Sequence, residues 1–168
     1  MNKRFASLLL CLLTLFFLVG CAALTRLPGE SITQIASWSG RLSVRVEATE
    51  SLASQAFSST FELQGKPEQG QLHFYTPLGS TAAAIVWTPV QALLQSGTQT
   101  QTFNNIAELI ERVLGTPVPV SALFAWLAGD QISLDGWQVD QSQFDHGKIT
   151  ARRISPAPQA EIRVVLEP

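Results

Sequence analysis

The spacing of apolar positions changes along the chain, and each change marks an element. Residues 5–19 form a nearly continuous apolar run behind Lys3-Arg4, closed by Leu18-Val19-Gly20-Cys21. A polar stretch then ends at Pro28-Gly29. After it, Ile32, Ile35 and Ala36 share a helical face and predict a short helix over 31–38, with Gly40 as its stop. From there the period becomes two. Leu42, Val44 and Val46 alternate with polar neighbours, as do Phe57, Ser59, Phe61 and Leu63, and then Leu72 and Phe74. Alternation repeated over consecutive runs predicts an antiparallel sheet with one apolar and one wet face.

Thr76-Pro77-Leu78-Gly79-Ser80 interrupts the alternation, and a strand over 81–88 follows. Its start is small, Ala82 to Ala84, which leaves room for something bulky against the sheet; Ile85, Val86 and Trp87 complete it. Short strands are expected over 92–95 and 99–103, joined by a hairpin turn at Ser96-Gly97. Asn105 can cap a helix, with Glu108 three places on as in a capping box. Ile106, Leu109, Ile110, Val113 and Leu114 form one stripe, and Gly115 is a natural stop. Pro117 and Pro119 stiffen the link to a second helix over 121–128, which carries Leu123, Phe124, Trp126 and Leu127. Strands over 137–140, 144–154 and 161–166 complete an α+β pattern, the middle one turning at Asp145-His146-Gly147. Arg153 falls on the parity of Ile149 and Ala151, which reads as an edge position or a frayed strand end.

A basic start, an apolar run and a small residue before the cut are the plan of a secretory signal peptide. Fifteen residues, 5–19, are short for a helix that spans a bilayer. The closing tetrad resembles the bacterial lipobox. That resemblance implies cleavage before Cys21, a diacylglycerol on its thiol and an acyl chain on the freed amine. Residues 1–20 are then a removed signal, 21–37 a lipidated tether with the short helix, and 38–168 the folded domain. Two or three chains on one residue anchor stably where a single chain does not. Ala22 after the cysteine, where an aspartate would mark retention, implies the outer membrane under the same resemblance.

With Lys3 and Arg4 removed, nine basic side chains face 13 acidic ones and form no stripe, so nucleic acid is not an expected partner. Cys11 leaves with the signal and Cys21 is taken by lipid, so no internal disulfide is expected. Chemistry is sparse. His73 lies on the polar parity of a strand and His146 in a turn, both best read as solvated. Asp130, Asp135, Asp140 and Asp145 recur every five residues, which suits neither a calcium loop nor a helix face. There is no glycine-rich phosphate loop and no Gly-x-Ser-x-Gly elbow. The expectation is a protein that is not an enzyme, with no metal and no cofactor beyond the covalent lipid on Cys21.

What stands out is apolar. The alternating residues and the helices could form either an ordinary filled core or the wall of a lipid cavity. Trp38-Ser39-Gly40-Arg41-Leu42-Ser43-Val44, Pro77-Leu78-Gly79-Ser80 and Leu114-Gly115-Thr116-Pro117-Val118-Pro119, with Leu123, Trp126, Leu127 and Gly129, resemble the family of the outer-membrane lipoprotein receptor LolB. The likeness runs from Trp38 to about Gly129 and leaves the number of closing strands open. It implies an incomplete antiparallel β-barrel, with the helices over 105–114 and 121–128 as a lid on an apolar cavity. The cavity wall is then expected from Leu42, Val44, Phe57, Phe61, Leu63, Leu72, Phe74, Trp87, Leu109, Val113, Leu123 and Trp126. The resemblance further implies a monomer that takes cargo lipoproteins from a soluble periplasmic carrier resembling LolA. It would pass them without catalysis to outer-membrane lipid, with Leu78 entering the membrane. Two other readings stay open: an anchored binder of a small free lipid or other apolar ligand, and an anchored interaction module with a filled core.

Overall fold

Among the described residues, nine strands pair into one antiparallel sheet, in the order β6-β5-β4-β3-β2-β1-β9-β8-β7. The computed structural model describes residues 35–50 and 53–168. The signal peptide, Cys21, the tether and residues 31–34 of the expected helix therefore lie outside the described residues. The strands are β1 (Ala36–Val46), β2 (Gln55–Lys66), β3 (Gln69–Tyr75), β4 (Thr81–Thr88), β5 (Gln91–Ser96), β6 (Gln99–Phe103), β7 (Trp137–Asp140), β8 (Lys148–Arg153) and β9 (Ala160–Leu166). Helices α1 (Ile106–Leu114) and α2 (Val120–Leu127) lie between β6 and β7 in sequence. The chain thus leaves one edge of the sheet, makes both helices, and re-enters at the other edge. Strands β1 and β9 close the seam mid-sheet, from Gly40 opposite Leu166 to Val46 opposite Ala160. The sheet is not closed into a barrel, because β6 and β7 do not pair. The period-two pattern led us to expect the antiparallel sheet, and the family resemblance implied the incomplete barrel with two helices that is found.

The short helix expected to reach residue 38 is corrected. Ala36, Ser37 and Trp38 already belong to β1, paired with Gly65, Gln64 and Leu63. Trp38 keeps the parity of Leu42, Val44 and Val46, so the period of two had begun earlier than Gly40. That glycine lies inside the strand with φ 154°, where a Cβ would collide with the carbonyl oxygen of Val165 on β9. A glycine in a strand often marks such a close approach.

The capping signals of α1 were legible. The Asn105 side chain accepts a hydrogen bond from the backbone N–H of Glu108 at 2.9 Å. The Glu108 carboxylate reaches back to the N–H of Asn104, one residue earlier than a standard capping box. Gly115 ends the helix in the left-handed region. After Pro117 and Pro119, α2 begins with no side-chain cap and places Phe124 and Trp126 in the core.

Four residues expected on a cavity wall lie outside its lining, buried in the core: Phe61, Leu63, Trp87 and Trp126. The reason is where α2 sits. Phe124 meets Trp38 at 5.5 Å and Trp87 at 6.2 Å, both edge to face, so aromatic rings fill this end of the sheet's inner face. Gly70 makes this possible, since a Cβ there would stand 2.6 Å from the Trp87 ring. The Trp87 indole N–H donates to the Pro67 carbonyl at 3.0 Å. Leu63 pairs with Trp38, and Phe61 stands opposite Gly40. Trp126 packs on Trp137 of β7, 5.6 Å away.

Arg153 is likewise corrected. It lies on β8, which has a strand on either side, and is 7% exposed. Its guanidinium donates to the hydroxyl of the fully buried Thr116. The pair ties the helix-to-helix linker to the sheet. On the outer face Glu161 accepts from Arg152 and Arg163, each at 2.7 Å. The Arg152 hydrogen bond holds its carboxyl below the usual range; burial opposes this, and Arg163 adds to the lowering.

Residues Gln34–Pro168 form one compact unit that contains the whole of this core. Its tightest backbone approach gives a test. Gly40→Ala should lower unfolding free energy by about 2–4 kcal/mol, since a backbone collision at a special φ is among the costly single changes. Urea unfolding checks this; a loss below about 0.5 kcal/mol would show that β1 and β9 do not meet as described.

Candidate functional site

Past the aromatic end, the inner face of the sheet is not filled. A cavity of about 420 Å³ remains between the strands and α1, within the roughly 300–1,000 Å³ typical of small-molecule sites. Strands β1 and β2 give Leu42, Val44, Val46, Gln55, Ala56 and Phe57; β3 to β5 give Leu72, Phe74, Ala83, Ile85, Leu94 and Ser96. Helix α1 gives Leu109, Ile110, Val113 and Leu114, and Val118, Leu123 and Ile162 close the remainder. Gln55 and Ser96 are the only polar side chains on this wall, and neither is charged. The wall offers chiefly apolar surface for dispersion contacts and carries no charged side chain. Among the described residues no cluster of His, Cys, Asp or Glu could hold a metal ion.

Of the expected wall residues, the structure brings together Leu42, Val44, Phe57, Leu72, Phe74, Leu109, Val113 and Leu123. Phe57 and Phe74 meet edge to face at 5.0 Å, yet Phe57 is 42% exposed, as an apolar ring at a cavity mouth would be. Reasoning from sequence missed Val46, Ile85, Ile110 and Leu114, which continue the parity or helical stripe of residues it did select, and Leu94 on β5, where it selected none. It also missed Ile162 and Val118, whose position depends on β9 pairing with β1 and on the linker folding inward. Ala83 was noted as small, and it is one of the places where the wall stays low.

The turn at residues 76–80 projects from two of the wall strands. Phe74 precedes it on β3 and Ala83 follows it on β4. The Thr76 N–H donates to the Ser80 carbonyl at 2.8 Å, and the Gly79 N–H to the Thr76 carbonyl at 2.9 Å. Gly79 takes φ 82°, while no residue other than glycine has positive φ among the described residues. Leu78 therefore has negative φ, and the turn is type I followed by a left-handed glycine. Leu78 stands at the tip, 95% exposed, and does not fold back on the sheet. At its base, the Tyr75 phenol donates to Glu62 at 3.0 Å. That hydrogen bond, helped by burial and the carboxylate's charge, raises the phenol above its ordinary pKa.

Comparison with known sequences bears on this arrangement. The sequence model of the family described as "Outer membrane lipoprotein LolB" matches residues 36–163. The chain belongs to the LolB family. The match begins with β1 and ends within β9, so it takes in the closing strands beyond Gly129 that the motifs alone left open. Proteins named "Outer-membrane lipoprotein LolB" are similar along most of the chain. That of Bordetella petrii is 30% identical over 174 residues, covering 89% of this chain and 86% of the relative. That of Cupriavidus metallidurans is 30% identical over 135 residues, and that of Vibrio vulnificus 29% over 133. The chain spans only 63% and 64% of those two relatives. Membership places this LolB-family protein among outer-membrane lipoproteins. Among the described residues, no helix is long and apolar enough to cross a membrane.

The cavity's emptiness can be tested by filling it. Ala83→Phe adds a ring to the low part of the wall. It should weaken binding of 1-anilinonaphthalene-8-sulfonate by at least about tenfold while costing stability no more than the about 1–3 kcal/mol of overpacking. Unchanged dye binding in a folded variant would mean that the dye, and by extension an apolar ligand, sits elsewhere.

Proposed function

We propose that this protein receives lipoproteins by their acyl chains and releases them into the outer membrane, acting as a binding and transfer protein without catalysis. The observation that carries the reading is an uncharged apolar cavity walled in part by β3 and β4, the two strands joined by a turn that holds a bare leucine in solvent. The names of its relatives agree with a place in lipoprotein handling at that membrane. In this reading a soluble periplasmic carrier resembling LolA delivers the cargo. Transfer needs no nucleotide, because a ligand moves toward whichever partner binds it better. Cys21 is the acylation site that anchors the receptor, carrying diacylglycerol on sulfur and a further chain on nitrogen. The protein works as a monomer.

Leu78 is the membrane-entering residue in this proposal. An exposed leucine gives no stability in water, and the turn would form as well with a polar tip. Burying it in lipid is favourable by about 1.5–3 kcal/mol. That is too little to anchor a protein, and enough to favour an orientation with the cavity mouth against the bilayer.

Leu78→Glu separates this role from a structural one. The variant should keep its melting temperature and still take up lipoprotein from the carrier, but deliver it to vesicles at least about tenfold more slowly, as loss of that transfer energy implies. Delivery at the normal rate would remove Leu78 from the mechanism. Combined loss of stability and uptake would instead make it a structural residue.

A further inference from the structure

Strand β2 is longer than the neighbour that covers it. It pairs with β1 over its length, from Gln55 opposite Val46 to Gly65 opposite Ala36. With β3 it pairs only from Thr60, opposite Tyr75, onward. After Tyr75 the chain departs into the 76–80 turn, so, among the described residues, 55–59 have β1 on one side and no strand on the other. The Ser59 hydroxyl, donating to the Tyr75 carbonyl at 2.8 Å, marks where the pairing stops.

In such a segment alternate residues direct their backbone N–H and C=O away from the partner strand. Gln55, Ala56, Phe57 and Ser58 are all exposed. An open edge of this kind is a template for an added strand unless charge, proline or a bulge blunts it. Gln55-Ala56-Phe57-Ser58-Ser59 contains no charge and no proline, and its pairing to β1 runs without a register shift. Three of these residues, Gln55, Ala56 and Phe57, also line the apolar cavity.

We propose that this edge binds the first residues of the cargo polypeptide, added as a strand beside β2, while the cargo's acyl chains occupy the cavity. The proposal rests on the acyl-binding reading of that cavity. An acylated N-terminal cysteine joins its hydrocarbon directly to a peptide backbone. Chains seated inside therefore leave the next residues at the rim, where residues 55–57 are both wall and open edge. Strand addition reads backbone and not side chains, which suits ligands whose shared feature is the lipid. Five residues span roughly 17 Å at strand rise, enough for two or more ladder hydrogen bonds.

The test uses the unit Gln34–Pro168, which carries its own core, and three probes. The first is an S-diacylglyceryl cysteine followed by a five-residue peptide; the second is the same compound with alternate backbone nitrogens methylated. The third is the lipidated cysteine amide alone. The first should protect the amides of residues 55–59 from hydrogen exchange and bind about tenfold more tightly than the other two, the worth of one or two net hydrogen bonds. Equal binding by all three without that protection overturns the edge and leaves the cavity reading intact. Binding by none overturns the cavity reading, and the edge proposal with it. Protection of 55–59 without ligand, growing with protein concentration, assigns the edge to a second copy and also overturns the proposal.

Discussion

The wedge of Phe124 against Trp38 and Trp87 sets the shape of the interior. Three rings, with Gly70 leaving room for one of them, fill the inner face of the sheet at one end. Helix α2 is thereby pinned, and α1, joined to it by the stiff linker over 116–119, is held over β5 and β6. Farther along the face no comparable ring descends from the helices. Leu109, Val113 and Leu123 are too short to reach across to Ala83 and Leu42, and the space between them remains. The cavity is thus the complement of the aromatic end.

The linker between the helices is fastened from the other side of the seam. Arg153 on β8 reaches the buried Thr116 hydroxyl, and strand β8 is held in turn by β9, which pairs with β1. The lid therefore depends on two sheet segments from opposite ends of the chain. Burying a guanidinium is costly unless it is hydrogen-bonded, so this contact constrains where the linker can lie. The outer face is braced by Arg152, Glu161 and Arg163, and the Leu78 turn carries the most exposed large apolar side chain among the described residues.

Much of this was readable from the chain. Period-two runs fixed the strands, and Asn105, Glu108 and Gly115 marked both ends of α1, because those signals are local. What failed was nonlocal. Leu63, Phe61, Trp87 and Trp126 share the parity or helix of true wall residues, and only the placement of α2 decides that they are filled over. Gly40 looked like a helix stop because its reason for being glycine is the carbonyl of Val165, 125 positions away in sequence. Arg153 looked misplaced on an apolar face because its partner, Thr116, belongs to a linker. The free edge at residues 55–59 had no local signature, since it arises from where β3 stops.

The central claim is that acyl chains enter the space between α1 and the sheet. A cargo lipoprotein carrying a photoreactive diazirine midway along an acyl chain, bound and irradiated, tests this directly by mapping the crosslinked residues. Crosslinks should fall on wall residues such as Val44, Phe74, Leu109 and Leu123, and be lost when an unlabelled lipopeptide competes. Crosslinks confined to the outer face, around Arg45 and Arg163, would contradict the account.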